Sequence, residues 1–273
     1  MPPGAARLAC GVTPLLAGTP WALNGALAAG LATCAALGEL GALPSAAAAA
    51  AAVTAGHGLM LATALCWAEP AGRGDARRDA FTAVGLIALG AAAAGVHPSG
   101  GVVYLVIPVW LGRLVATGRL TGLGLATRVS PRVVALGAGL GAFLGAHMLL
   151  TASLTYGYQP LERGVLPAMR ALAYDAGVQV VATECFFRGA LFDRMQRRWS
   201  FAAACALSTA GTVARYLVDP LLPQAVEMIA GTIFYTGVLA IGNAWLFWRF
   251  GTLIPGLVAS LTVFVAYRML PVE

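Results

Sequence analysis

Apolar residues run through this chain in long blocks, with the charged residues gathered mostly between them. An apolar run of about 18 residues or more can cross a bilayer as a helix. Nine runs qualify, over approximately 20–42, 46–67, 80–97, 101–118, 133–155, 173–192, 200–218, 225–248 and 252–270. The third and fourth are short and are split by His97-Pro98-Ser99-Gly100-Gly101, a helix stop and turn. The first two are Ala-rich and part near Leu43-Pro44-Ser45. The count falls to eight if one of these is a re-entrant hairpin. The pattern predicts an all-α, polytopic transmembrane helical bundle of about 8–9 spans. Within the spans Gly137, Gly139, Gly141 and Gly145 are small enough to let helices approach closely in lipid, where apolar burial gives no drive of its own.

The polar residues between the runs set an orientation. Arg73, Arg77 and Arg78 follow the second run, Arg119, Arg128 and Arg132 the fourth, Arg194, Arg197 and Arg198 the sixth, and Arg249 the eighth. With nine spans these loops share one side, which the positive-inside rule makes cytoplasmic, together with Arg7 at the N-terminus. The C-terminus is then expected outside. Asp193 and its neighbouring arginines form a cytoplasmic helix exit suited to anionic headgroups. Trp245 and Trp248 fall near the inner interface, where indoles prefer to sit.

Composition supports the membrane reading. The chain is 59% hydrophobic and 10% charged, with a mean hydropathy of +0.81, whereas a soluble domain carries about 25% charged residues. Its net charge of +6 comes from arginine alone and belongs to loops, so a nucleic-acid partner is not expected. The five cysteines, Cys10, Cys34, Cys66, Cys185 and Cys205, form no C-x-x-C pair and read as small buried hydrophobes. Cys10 has Arg7 three positions before it and no apolar segment ahead, which argues against a lipidation site or a cleaved signal peptide.

The chemistry gathers in Thr183-Glu184-Cys185-Phe186-Phe187-Arg188-Gly189, inside the sixth run. An ionisable group there costs roughly 2.5–3.5 kcal/mol on insertion scales. Spacing of four puts Glu184 and Arg188 on one helix face, where they can pair. Further on, Gly237 and Gly242 precede Arg249-Phe250-Gly251-Thr252-Leu253-Ile254-Pro255. On these residues the segment 175–268 resembles the C-terminal domain of the CAAX protease and bacteriocin-processing family of glutamic-type intramembrane proteases. That family has two adjacent Glu, three variable residues and Arg-Gly; then Phe-x-x-x-His; then a Gly-x-x-x-Gly helix leading into Arg-x-Gly-Ser/Thr-Leu; then a His with an Asn four residues on. The resemblance implies a helical intramembrane endopeptidase core, here over 133–273 and preceded by N-terminal transmembrane helices over 1–132. It implies no cofactor.

The departures bear on activity. The first Glu, which the family uses to activate water, is Thr183 here. The Phe-x-x-x-His positions fall on Thr212 and Tyr216, with Arg215 beside them, and the last His and its Asn partner fall on Ser260 and Phe264. Imidazole titrates near neutrality and shuttles protons; Tyr216 and Ser260 do not without strong perturbation. Glu184 beside a cation makes a poor base. Glu184 and Arg188 therefore read either as a remnant catalytic or substrate-clamping pair, or as a neutralised pair that locks one helix orientation. Thr183 can bond a carbonyl one turn back.

The three histidines are scattered. His57 and His147 lie inside runs and suit interhelical hydrogen bonds, or a base; His97 sits at a helix end. No H-E-x-x-H or Gly-x-Ser-x-Gly element accompanies them, so neither a metal site nor a serine nucleophile at Ser260 is expected. Arg215 can snorkel or pair with Asp219. Asp175, Glu162 and Glu227 fall near outer span ends, where water reaches. Three functions follow in order. The first is a catalytically degenerate family member of the cell membrane, bacterial inner membrane by the resemblance, that touches lipids and binds a membrane-anchored protein or peptide or an active paralogous protease. The second is an active endopeptidase that uses Glu184 with His57 or His147. The third is a transporter or channel subunit.

Overall fold

A computed structural model describes residues 14–68, 75–125, 128–159, 164–217 and 226–270. Arg7, Cys10, Arg73, Glu162 and Asp219 lie outside them, as does the side chain of Glu227. Helices follow the apolar runs: α1 (Trp21–Glu39), α2 (Ser45–Ala68), α3 (Ala76–Val96), α4 (Val106–Ala116), α5 (Pro131–Tyr156), α6 (Val165–Tyr174), α7 (Val180–Glu184), α8 (Asp193–Gln196), α9 (Phe201–Leu217), α10 (Val226–Phe250) and α11 (Ile254–Tyr267). There is no strand among the described residues. The protein is an all-α, multi-pass membrane bundle. Among the described residues six helical segments are long and apolar enough to cross a membrane, and α11 is a shorter apolar helix. The expected sixth run is broken: wider turns, with i→i+5 hydrogen bonding, occupy Asp175–Gln179 and Cys185–Phe192 on either side of α7.

The chain divides into two units. The N unit is Leu16–Leu123 with Val165–Phe186, and the C unit is Gly124–Gly164 with Phe187 onward, plus Pro14 and Leu15.

In the N unit α1 packs on α2, α2 on α3, and α2 also on α7. The stop foreseen at His97 is real. His97 takes an extended conformation, and its Nδ1 accepts from the Ser99 amide at 3.2 Å and lies 2.7 Å from Ser99 Oγ. Pro98 then starts a tight 3-10 stretch, Pro98–Leu105, that packs on α3 and α6. Tyr104, from this stretch, lays its ring where a side chain on Gly90 would stand. At the start of α3, Arg119 grips Asp79 at 2.6 Å and Asp75 at 3.5 Å.

In the C unit α5 and α11 run in close contact, and α10 packs on α5, α9 and α11. Three of the four small residues foreseen in α5 make that contact. A Cβ on Gly141 would fall 2.5 Å from the Ala259 carbonyl oxygen, and one on Gly145 would fall 2.9 Å from Ala266 Cβ. Gly137 sits against Pro255 in the same way. The fourth, Gly139, faces open space. Below the contact Leu144, Leu239, Ala259 and Val263 form one core cluster, and Met148, Ala152, Ala266 and Leu270 another. The 249–255 junction has a plain mechanical role. Gly251 takes φ +67, which a residue with a Cβ rarely adopts, so the chain can leave α10 and re-enter α11 at once. Thr252 Oγ1 accepts from the Ile254 amide at 3.3 Å, Pro255 stands in the first turn of α11, and the Leu253 amide reaches the Gly124 carbonyl at 3.1 Å.

At the expected helix exit Asp193 pairs with Arg197 at 2.6 Å. Arg194 donates to the Leu15 carbonyl at 2.8 Å, and burial pulls its guanidinium down to about 10, still a cation at neutral pH.

Candidate functional site

Thr183 and Glu184 close α7, a five-residue α-helical turn held between two widened turns. Such widened turns are uncommon and concentrate where a helix carries function. Both residues belong to the N unit, and both are buried, at 2% and 3% exposure. Thr183 does not bond a carbonyl one turn back, as its position allowed. Its Oγ1 has no hydrogen-bond partner among the described residues. Asp175, expected near water, is 1% exposed, because the first widened turn carries it into the unit.

His57 stands apart from Glu184 along its helix. Its ring meets Tyr174 edge-on at 5.8 Å, and Trp67, ten residues along α2, meets Phe186 at 6.0 Å. The two helices therefore run alongside in the same direction. His57 stands level with Tyr174, ten residues before Glu184, on the order of 15 Å away at about 1.5 Å per residue. Its Nδ1–H turns back onto the Val53 carbonyl of its own helix at 3.2 Å, rather than bridging helices by that nitrogen.

The C unit holds Arg188, Thr212, Tyr216 and Ser260. Arg188 is 1% exposed and donates from Nη1 to Thr212 Oγ1 at 2.5 Å. Thr212 passes its own proton to the Ser208 carbonyl at 2.8 Å, so the hydroxyl both accepts and donates. The guanidinium also lies 5.9 Å from the Phe187 ring centre. Tyr216, one turn on from Thr212, packs its ring 5.9 Å from that of Phe264, and the Arg215 guanidinium covers its face at 5.2 Å. Ser260 is 2% exposed and accepts from Asn243 Nδ2 at 2.9 Å; the same nitrogen reaches the Gly256 carbonyl at 3.3 Å.

Asn243 was missed by sequence reasoning. Its signal was available: a carboxamide in the middle of the apolar run 225–248 must be hydrogen-bonded if buried, and it is 1% exposed. His147 is not in this cluster. It lies on the exposed side of α5, with Nδ1 2.8 Å from Tyr235 Oη. Among the described residues no group of three His, Cys, Asp or Glu is placed to hold a metal ion.

The order of these residues along the chain agrees with a wider comparison. The sequence profile of the family described as "Type II CAAX prenyl endopeptidase Rce1-like" matches residues 166–263. Over residues 166–263 the chain is similar to the CAAX-protease family. The match takes in about a third of the chain and includes Thr183, Glu184, Arg188, Thr212, Tyr216, Asn243 and Ser260. No curated protein and no solved structure was found to match it. The two positions that this resemblance assigns to a His and an Asn, Tyr216 and Phe264, are an aromatic pair. The position assigned to the other His, Ser260, is a hydrogen-bonded hydroxyl.

Proposed function

We propose that this integral membrane CAAX-protease-like protein binds a membrane-anchored protein or peptide without cleaving it. The observation that carries the reading is the fate of the residues that would activate and relay a proton. Thr183 offers a hydroxyl in place of a carboxylate, Tyr216 is stacked on Phe264, and Ser260 is bonded to Asn243. A general base must be present before its geometry matters, and groups that act as a unit fail together. In this reading Glu184 and Arg188 are the retained remnant of the motif. They hold the scaffold and supply charge to the bound segment. The bilayer is the cell membrane, and an active paralogous protease in that membrane is the natural recipient of what the chain holds.

The test uses purified full-length protein with prenylated and unprenylated membrane-segment peptides. Saturable binding without cleavage is expected. Cleavage that is abolished by Glu184→Gln, and also by His57→Gln or His147→Gln, would establish an active endopeptidase instead. Cleavage that survives Glu184→Gln would mark a contaminant. Failure to bind any of the peptides, together with ion or solute flux in vesicles, would favour a transporter subunit.

A further inference from the structure

The C unit carries a polar cluster that the proposed binding site does not use. His147 of α5, Tyr235 of α10 and Thr151 of α5 meet in a triangle, with Nδ1 2.8 Å from Tyr235 Oη, Thr151 Oγ1 3.4 Å from Nδ1, and Tyr235 Oη 3.3 Å from Thr151 Oγ1. Its depth is the unusual part. His147 lies nine residues before Tyr156 at one end of α5, and Tyr235 nine residues after Val226 at one end of α10. At about 1.5 Å per residue both stand ~13 Å in from a helix end. A helix of 26 residues is about 39 Å long against a hydrocarbon layer of about 30 Å, so the cluster is inside the hydrocarbon. Yet His147 is exposed, and its Nε2 makes no hydrogen bond to any described residue. Lipid tails offer such a nitrogen nothing, and an imidazole at this depth is too short to reach the interface.

The residues around it form a seam. Leu136, Phe143, Leu150 and Leu154 are 52%, 67%, 59% and 83% exposed. With His147 they follow the spacing 7, 4, 3, 4, the repeat by which one helix packs along another with a left-handed crossing. His147 takes one a-type position. Gly139, beside the seam, has open space around it and lets a second backbone come close. In a parallel pair related by a two-fold axis along the membrane normal, equivalent residues meet at equal depth, so a faces a and His147 faces His147.

We propose that this face of α5 pairs with the same face of a second copy of the chain, through a hydrogen bond between the two His147 Nε2 atoms. The cluster is built to be self-complementary. When Tyr235 donates to Nδ1, the ring proton sits on Nε2 and points outward as a donor. When Nδ1 carries the proton and donates to Tyr235, the phenol turns its own proton to Thr151, and Nε2 is left bare as an acceptor. The distances allow both states. One copy in each state completes the bond, with every hydrogen placed and no charge in the hydrocarbon. A polar group at a single seam position also fixes the register of the pair.

The experiment uses full-length protein, labelled with donor or acceptor dye and reconstituted in phosphatidylcholine–phosphatidylglycerol vesicles. Energy transfer is read against protein density. Wild type is expected to form dimers. His147→Leu should weaken them about tenfold, Tyr235→Phe by a few-fold, and His147→Gln least, because a carboxamide still offers one donor and one acceptor. Melting in detergent checks that each variant is folded. Oxidant-dependent cross-linking of Leu154→Cys, above the wild-type background and above that of Phe81→Cys on exposed α3, locates the face. Single copies at every density, His147→Leu dimerising as well as wild type, or equal cross-linking at position 81 would each overturn the proposal.

Discussion

The two units bury polar groups in different ways. In the C unit each motif position is tied to another helical segment by a named contact: buried Arg188 to Thr212, buried Ser260 to Asn243, and half-buried Tyr216 against Phe264. In the N unit the motif position Thr183 is equally buried, yet its hydroxyl finds no partner among the described residues. The contrast teaches what a substitution inside an apolar bundle requires. At the positions that the resemblance assigns to imidazoles, Ser260 and Tyr216, a neighbour on another helix takes up the side chain, and the position serves as a strut. Where the carboxylate position became Thr183, a hydroxyl was left that burial penalises. On the binding reading proposed above, the C unit has been re-knit around its changes and the N unit has merely tolerated its own.

The largest test of that contrast is Arg188. Truncating the buried Arg188 side chain leaves a cavity and takes the donor away from Thr212, and large-to-small changes in a core cost about 2–5 kcal/mol. Arg188→Ala should therefore strip the protein from the membrane fraction or lower its melting temperature in detergent steeply. Arg188→Met keeps the volume without the charge and should be milder. An Arg188→Ala protein that accumulates normally would show that this helix is not held as described.

Next is the α5–α11 contact. Gly141→Val must displace the Ala259 backbone, and overpacking of this kind costs about 1–3 kcal/mol or more. Gly139→Ala, two residues away on the open side, should change the melting midpoint by no more than the error of the measurement. Equal effects at the two positions would mean that small residues in α5 serve something other than close approach to α11.

This pair of glycines also marks how far the sequence could be read. The helices were legible because each apolar run is long, and close helix packing along α5 was legible from its glycines, though not which helix they meet; the structure sets Gly137, Gly141 and Gly145 against α11. Gly139 carries the same composition signal without the contact, since its identity does not say which way it faces. The motif residues were legible for the same reason as the runs: charge stands out against an apolar background. What stayed hidden depends on pairing across helices far apart in sequence. Asn243 with Ser260 and His147 with Tyr235 are 17 and 88 residues apart, and no local period links them. The widened turn at Asp175–Gln179 was hidden too, because it moves Asp175 from an expected wet end to a buried site without any glycine or proline kink to announce it other than Gly177.

A third test is the strut itself. Asn243→Leu removes both bonds from Nδ2, and Ser260→Ala removes the accepting hydroxyl. Interhelical hydrogen bonds in membranes are worth about 0.6 kcal/mol on average and up to ~1.7. Each single change should cost that order, and the double change should cost less than the sum, since the two remove one interaction. Strict additivity in the melting of the four proteins would separate Asn243 from Ser260 and undo the claim that the C unit re-knit itself at this position.

The smallest expected effect is the sharpest. Thr183→Val keeps the branched shape and deletes a buried hydroxyl without a hydrogen-bond partner among the described residues. Leaving such a group unsatisfied costs about 1–3 kcal/mol, so its removal should leave stability unchanged or raise it by up to ~1 kcal/mol. Thr212→Val supplies the opposite sign in the same fold, because there the hydroxyl accepts from Arg188 and its loss leaves a buried guanidinium short of an acceptor. The pair of variants tests the difference between the units by sign rather than by size, which makes it insensitive to how detergent scales melting temperatures. If Thr183→Val destabilises as Thr212→Val does, the Thr183 hydroxyl has a partner in the folded protein. The N unit would then have been re-knit as fully as the C unit. If it stabilises while also weakening capture of a membrane-anchored peptide, the unpartnered hydroxyl is held in reserve for the bound segment. That outcome would join the stability argument to the proposed binding function at the position where the family's first carboxylate is missing.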